Sequence, residues 1–263
     1  MKALQLLQLL FCIFISTESR AITVYSNTFD TSANLAGFTI VGGETVSVVG
    51  QELQATIASN FGRGTAMLDT SVSFTNPYNS VLASNPGLVT WAFNVSNSNG
   101  AFNNGFSVVL TSDQADPYLV SAHGYYFTGG GMVGDRMGLW RYDFGLGGGQ
   151  TVLIDVTNGL GPLPQMGSIK VTYEPSSNLW SLYGLKGTAY SDPLAVSSLL
   201  GTWTDGTYTG QQSRYFGLGG VTSGMDRFDN LTVLVAPEPS MTVSMCLGLF
   251  ATALSRRRKR QRS

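Results

Sequence analysis

The 263-residue chain carries one histidine, His123, and two cysteines, Cys12 and Cys246. A two-histidine zinc site of the protease type is therefore excluded. The long stretch between the cysteines has no thiol nucleophile and no disulfide. A serine nucleophile would have to use His123, in Ser121-Ala122-His123-Gly124, and no Gly-x-Ser-x-Gly elbow occurs. His123 reads instead as a polar turn residue before Tyr125-Tyr126. Sugar hydrolysis needs two carboxylates facing each other roughly 5–9 Å apart. The body offers only Glu44, Glu52 and Glu174 before Glu238, and pairs such as Asp113/Asp116 and Asp135/Asp143 read as loop-solvating. No catalytic residue is assigned. The remaining chemistry is recognition: Tyr125, Trp140, Tyr142 and Trp203 lie near glycine-rich turns such as Gly129-Gly130-Gly131 and Gly147-Gly148-Gly149 and are the expected ligand-binding rings. Asn94-Val95-Ser96 and Asn230-Leu231-Thr232 match glycosylation acceptors and are read as chance matches.

Composition bounds the scaffold that must hold these groups. Only 12% of residues are charged, against a usual share of roughly 25%. The chain has 32 glycines, and each costs a helix interior about 1 kcal/mol. A mostly helical fold is not expected, and at 43% apolar the chain is too hydrophobic for simple disorder. From Ile22 to Ser240 there are 7 basic and 15 acidic residues, a net charge of −8. Such a body repels a phosphate backbone, so nucleic acid is not an expected partner.

Period-two alternation supplies the elements. In Val89–Val95 the residues Val89, Trp91, Phe93 and Val95 share one face, with Thr90, Ala92 and Asn94 on the other. Ser168–Glu174 alternates as cleanly. Shorter runs are Glu52–Ile57, Gly105–Leu110, Met137–Tyr142, Thr151–Asp155, Leu179–Leu185, Tyr215–Gly220 and Arg227–Val235, with turn signals between them. Ala195–Leu200 reads as at most one helical turn. About a dozen short strands without an internal repeat predict one all-β domain over 22–235, an antiparallel β-sandwich.

The ends read as addresses. Residues 1–21 form a secretory signal peptide: Lys2, an apolar run Leu4–Ile15, and Ser19-Arg20-Ala21 before a cut at Ile22. Residues 236–263 hold Pro237-Glu238-Pro239-Ser240, an apolar run Met241–Leu254, and a basic cluster beginning Arg256-Arg257-Arg258. Fourteen helical residues span about 21 Å, short of a hydrocarbon core. The arginines hold that tail on the cytoplasmic side. This order of elements resembles the PEP-CTERM sorting signal of Gram-negative bacteria. The resemblance implies an exosortase-type membrane protease that reads Pro237, Glu238, Pro239 and Ser240. It also implies a transient membrane stage through a short C-terminal transmembrane helix, then delivery to the cell surface or an extracellular matrix. The polar interruptions Thr242, Ser244 and Thr252 depart from the pattern.

The body resembles concanavalin-A-like lectin/glucanase jelly rolls. The resemblance rests on Ser26–Asp30 with Gly37–Ile40, on Gly105–Leu110, on Tyr215–Gly220, and on Arg227–Val233. It implies that the first and last strands pair. That pairing would bring Asp30 to Asp229-Asn230 as a candidate structural calcium site, through their oxygens. The Glu-x-Asp-x-x-Glu strand of the glucanase members is absent. The implied function is a non-catalytic module that binds extracellular polysaccharide. The alternatives are a structural matrix or surface-coat protein without a discrete ligand site and, last, a glycoside hydrolase with an atypical site.

Overall fold

The computed structural model describes residues 21–59, 62–74, 87–97, 105–129, 136–157, 166–209, 213–221 and 223–236. The residues before Ala21, expected to form a signal peptide, lie outside the described residues, as do Pro237, Glu238, Pro239, Ser240, Arg256, Arg257 and Arg258 of the expected sorting motif. Among the described residues no helix is long and apolar enough to cross a membrane.

Fifteen described strands stack as two antiparallel sheets, within one unit, Ile22–Val235. The terminal sheet runs β13 (Leu199–Thr204), β12 (Leu179–Gly187), β11 (Met166–Glu174), β6 (Val89–Asn97), β15 (Gly224–Val235), β4 (Glu52–Ile57) and β3 (Thr45–Val49). The opposite sheet runs β10 (Gln150–Asp155), β9 (Met137–Tyr142), β8 (Gly124–Gly129), β7 (Gly105–Ser112), β14 (Tyr215–Val221), β5 (Arg63–Asp69) and β2 (Phe38–Val41). The first strand, β1 (Ile22–Asn27), pairs with β15 from Ile22↔Val235 to Asn27↔Leu231, so the first and last strands are joined as expected.

One irregularity sets up the site. Gly224–Phe228 of β15 pairs with β4, and Leu231–Val235 pairs with β1 on the same side. Between them the ladder to β6 slips, from Asp229↔Asn94 to Thr232↔Ala92. Asn230 takes a φ of 50° in this bulge, a conformation that asparagine tolerates better than most side chains. The chain thus bends where two strands meet end to end, and Asn230 turns toward the sheet's outer face.

The sandwich interior is aromatic. Trp180 lies 4.5 Å from Tyr125, 4.6 Å from Tyr173 and 5.8 Å from Trp91 between ring centroids. Phe127 similarly meets Phe93 and Phe106. Such pairs add about 0.5–1.5 kcal/mol each beyond their buried area. Neighbouring strands of one sheet approach closely enough in places to demand glycine: a Cβ on Gly124 would strike the Thr111 carbonyl oxygen across the β7–β8 ladder.

Both sheets are covered over part of their outer faces as well. Loop residues Tyr118, Ala122 and Leu146 pack over Met67, Val109, Tyr126, Trp140 and Tyr142 of the opposite sheet. On the terminal sheet, residues 188–198 leave β12, fold back over the outer face and return to form β13. This strap contains a single 3-10 turn, Pro193–Ala195, capped by Asp192, whose side chain accepts from Leu194 N. The helical turn expected at Ala195–Leu200 therefore lies slightly earlier, because Leu199 and Leu200 already pair as strand.

Candidate functional site

Three of the four rings expected at a ligand surface are buried. Tyr125 points inward, is fully buried, and its hydroxyl donates to Asp205 Oδ1 at 2.6 Å. Burial raises its pKa, and the Asp205 carboxylate adds to the rise. Trp140 and Tyr142 face outward from β9 but lie under the covering loops, 2% and 0% exposed. Tyr142 donates to Thr111 O at 3.2 Å, while Trp140 Nε1 has no partner among the described residues. Exposed platforms at these three positions are thus corrected: aromatic strands covered on both sides leave their rings in packing contacts. Trp203, on edge strand β13, is 48% exposed.

His123 is held by Asp113, with Nδ1 2.9 Å from Oδ2, and its ring lies 4.8 Å from that of Tyr208. No hydroxyl of the described residues bonds to it, so no nucleophile–base pair forms there. Tyr208 donates in turn to Asp143, and Arg141 binds both Asp143 and Asp205. Burial pushes the Asp205 carboxyl up, but Tyr125, Thr207 and Arg141 outweigh it and hold the group below the usual carboxylate range. The network joins β9 to the segment after β13, with the Asp143 and Asp205 carboxylates sharing the one Arg141 guanidinium.

Asp30, Asp229 and Asn230 come to the same end of β1, yet they do not form a cation cage. Asp30 accepts from the Thr28 hydroxyl, and Asp229 accepts from Asn230 N at 2.7 Å and Asn230 Nδ2 at 2.9 Å. Glu52, nearby in charge, is bound by Arg227 at 3.2 Å. Burial raises the Asp229 pKa, and the Glu52 and Asp30 charges raise it further. These carboxylates therefore repel one another and use their lone pairs locally. Among the described residues no three His, Cys, Asp or Glu side chains gather to hold a metal.

The concave feature at this place is a cavity of about 330 Å³ on the outer face of the terminal sheet. Its walls come from β1 (Ser26 and the following Thr28), from the β15 bulge (Asn230, Thr232) and from the strap (Tyr190 to Pro193). The strap is pinned in place by polar bonds. Ser168 Oγ accepts from Ser191 N at 2.9 Å and donates to Ser191 O at 3.1 Å. Tyr190 donates to Ser96 Oγ at 3.0 Å, and Lys170 Nζ donates to Leu194 O at 3.1 Å.

Asn94 of β6 lines this cavity and is 0% exposed. Neither its Oδ1 nor its Nδ2 has a hydrogen-bond partner among the described residues. A buried carboxamide left unsatisfied costs about 1–3 kcal/mol per group, so the position is held at a cost to folding. One donor and one acceptor, side by side, can serve a hydroxyl that both gives and takes a hydrogen bond. Serine, threonine and asparagine groups surround it, with a single carboxylate, Asp192. Sequence reading placed Asn94 on the polar face of its strand but gave no sign that the strap would bury that face. The burial also closes Asn94 to modification as a glycosylation acceptor.

The fold is a lectin-like jelly-roll β-sandwich. No protein-family model matches the chain, and no curated protein matches it. Among solved structures it is similar to a Bacillus subtilis protein of unknown function with a galectin-like fold, at 10% identity and a TM-score of 0.53, covering 82% of this chain and 100% of that one. It is similar to the CBM2 module of the evolved Dit of Lactobacillus casei BL23 phage J-1, at 10% identity and a TM-score of 0.50, covering 83% and 98%. Peanut lectin is a third, at 10% identity and a TM-score of 0.50, covering 82% and 98%. At these identities the likeness establishes the fold.

Proposed function

We propose that this chain is a non-catalytic carbohydrate-binding module, and that the cavity at Asn94 receives one sugar residue. The observation that carries the reading is the unpartnered Asn94 carboxamide in a cavity walled by hydroxyl and amide groups. Sugars are recognised by such neutral donors and acceptors, with a ring packed against an aromatic face; Tyr190 is the ring here. Two of the similar structures are named as a lectin and a CBM2 module, which agrees with this reading. Hydrolysis would need a second carboxylate opposite Asp192, and the described lining has none.

The sequence signals at the two ends add a destination. The reading is that the protein is exported, passes through the membrane by its C-terminal run, and is handed by an exosortase-type protease to the cell surface or extracellular matrix. Calcium has no part in the proposed recognition. A structural coat role is the second reading, favoured by the exposed Leu199 (54%) and Trp203 (48%) on edge strand β13, where another strand could pair.

A glycan array probed with the purified protein, with calcium and again with a chelator, tests the first reading. Saturable binding that survives chelation and is lost in Asn94→Leu is the expected result. A folded parent that binds nothing would transfer the assignment to the coat role.

A further inference from the structure

The strap borders more than the Asn94 cavity. A second and larger hollow, about 570 Å³, lies on the other side of it on the same sheet face. The two are neighbours at two points. Thr232 lines the first and Leu234 the second, two residues apart on the outer face of β15 and so about 7 Å along the strand. Pro193 and Leu194, consecutive at the tip of the strap, likewise line one each. The strap reaches over from β12, so the way from one hollow to the other passes its tip above β15.

The second hollow is a groove that crosses strands. Leu234 stands opposite Thr90, Thr90 opposite Thr172, and Thr172 opposite Ser181, which makes one row over β15, β6, β11 and β12. Three hydroxyls stand in that row, none engaged by a described residue, at the strand spacing of about 4.8 Å. That spacing is close to the length of one sugar residue in an extended chain. The half-buried Tyr183 ring and the side chains of Leu88, Leu179 and Leu194 give apolar surface beside the row. The charged groups are already occupied: Lys170 Nζ bonds Leu194 O and sits 4.9 Å from the Tyr183 ring centroid, Glu174 accepts from Ser177, and Asp192 caps its own turn.

We propose that these hollows form one cleft, and that its ligand is an internal stretch of a linear, uncharged polysaccharide. One sugar residue sits at Asn94, and the chain continues past the strap tip over the hydroxyl row. This rests on the saccharide reading of the Asn94 cavity and adds to it the polymer's form and direction. A terminal sugar would fill only the first cavity and leave the groove unused. An acidic polymer is opposed by the body's net charge of −8, from 7 basic and 15 acidic residues between Ile22 and Ser240.

The test is affinity against ligand length, by calorimetry on the full protein. The probes are size-graded oligosaccharides of one to six residues from cellulose, mixed-linkage β-glucan and galactan. The expected result is an affinity for one of these series that rises at least tenfold between two and five residues. Thr172→Val and Tyr183→Ala, each checked for folding by thermal melting, should abolish that rise while leaving the shortest bound fragment unaffected. Asn94→Leu should weaken every length. Length-independent affinity, or a rise that survives both groove variants, overturns the cleft and leaves the single-sugar site standing. No binding of any fragment by folded parent overturns both.

Discussion

The Arg141 guanidinium lies 2.6 Å from the Asp205 carboxylate, and this pair joins β9 of the opposite sheet to the segment following β13 of the terminal sheet. Asp205 also takes the Tyr125 hydroxyl at 2.6 Å, and its backbone carbonyl accepts Trp180 Nε1 at 2.9 Å. One residue therefore fixes a core tyrosine, a core tryptophan and the cation at the sandwich end.

Replacing Asp205 with alanine would leave the Tyr125 hydroxyl without its acceptor and Arg141 with Asp143 as its one carboxylate. The expected loss is about 3 kcal/mol of stability, measured by urea unfolding. The carboxyl titrates below its usual range in the folded state. Its stabilising contribution is thus present above the ordinary carboxylate pKa and lost as pH falls through the lowered one. Asp205→Ala should accordingly flatten the acid limb of the stability curve. An unchanged acid limb would assign that limb to other carboxylates.

Asp226 behaves in the opposite sense. It is 0% exposed, takes one hydrogen bond from Asn97 at 2.8 Å on Oδ1, and leaves Oδ2 without a partner among the described residues. Burial pushes its pKa up to about 8, against a smaller lowering by Asn97. Between the usual carboxylate pKa and about 8, the folded protein holds a proton that the unfolded chain has released. Stability should therefore fall as pH rises across that window. Asp226→Asn keeps the Oδ1 acceptor and removes the titration, so its melting temperature should change less from pH 5 to pH 9 and exceed that of the parent at the upper end. Parallel curves for the two proteins would show that Asp226 is already ionised when folded.

The proposed delivery to the cell surface rests on a short segment of sequence, and Glu238 is its only charge between the body and the apolar run. Glu238→Ala should leave unprocessed precursor in the membrane fraction of a Gram-negative host that carries the sorting protease. Normal release of the variant would remove the sorting reading without touching the carbohydrate one.

The strands were legible where one face differs from the other. Glu52–Ile57 and Met137–Tyr142 have the bounds that their patterns predict, and β6 and β11 are extended by only two residues at one end. Alternation reports a contrast between faces, however, and does not say what covers the second one. Tyr125-Tyr126-Phe127 breaks alternation, which is the mark of a strand buried on both sides, and it could have warned that Trp140 and Tyr142, on the adjacent strand, would be covered. For Asn94 no such mark exists. Its burial is produced by the strap about a hundred residues later in the chain, through Ser191 on Ser168 and Tyr190 on Ser96, and such contacts leave no local pattern.

Asn94 is where stability and function should part. Its carboxamide takes no hydrogen bond from the described residues, and it carries the desolvation cost of two buried polar atoms. Leucine has a similar size and no polar atoms to satisfy. Asn94→Leu should therefore unfold at equal or higher urea concentration, by up to about 2 kcal/mol in stability, while its saccharide binding disappears. A purely structural asparagine would give the reverse pattern, with stability lost and binding falling only in proportion to the unfolded fraction. A gain in stability with binding intact would place the sugar elsewhere on the sandwich. The contrast is informative because residues retained against their own folding cost concentrate where a protein meets its ligand.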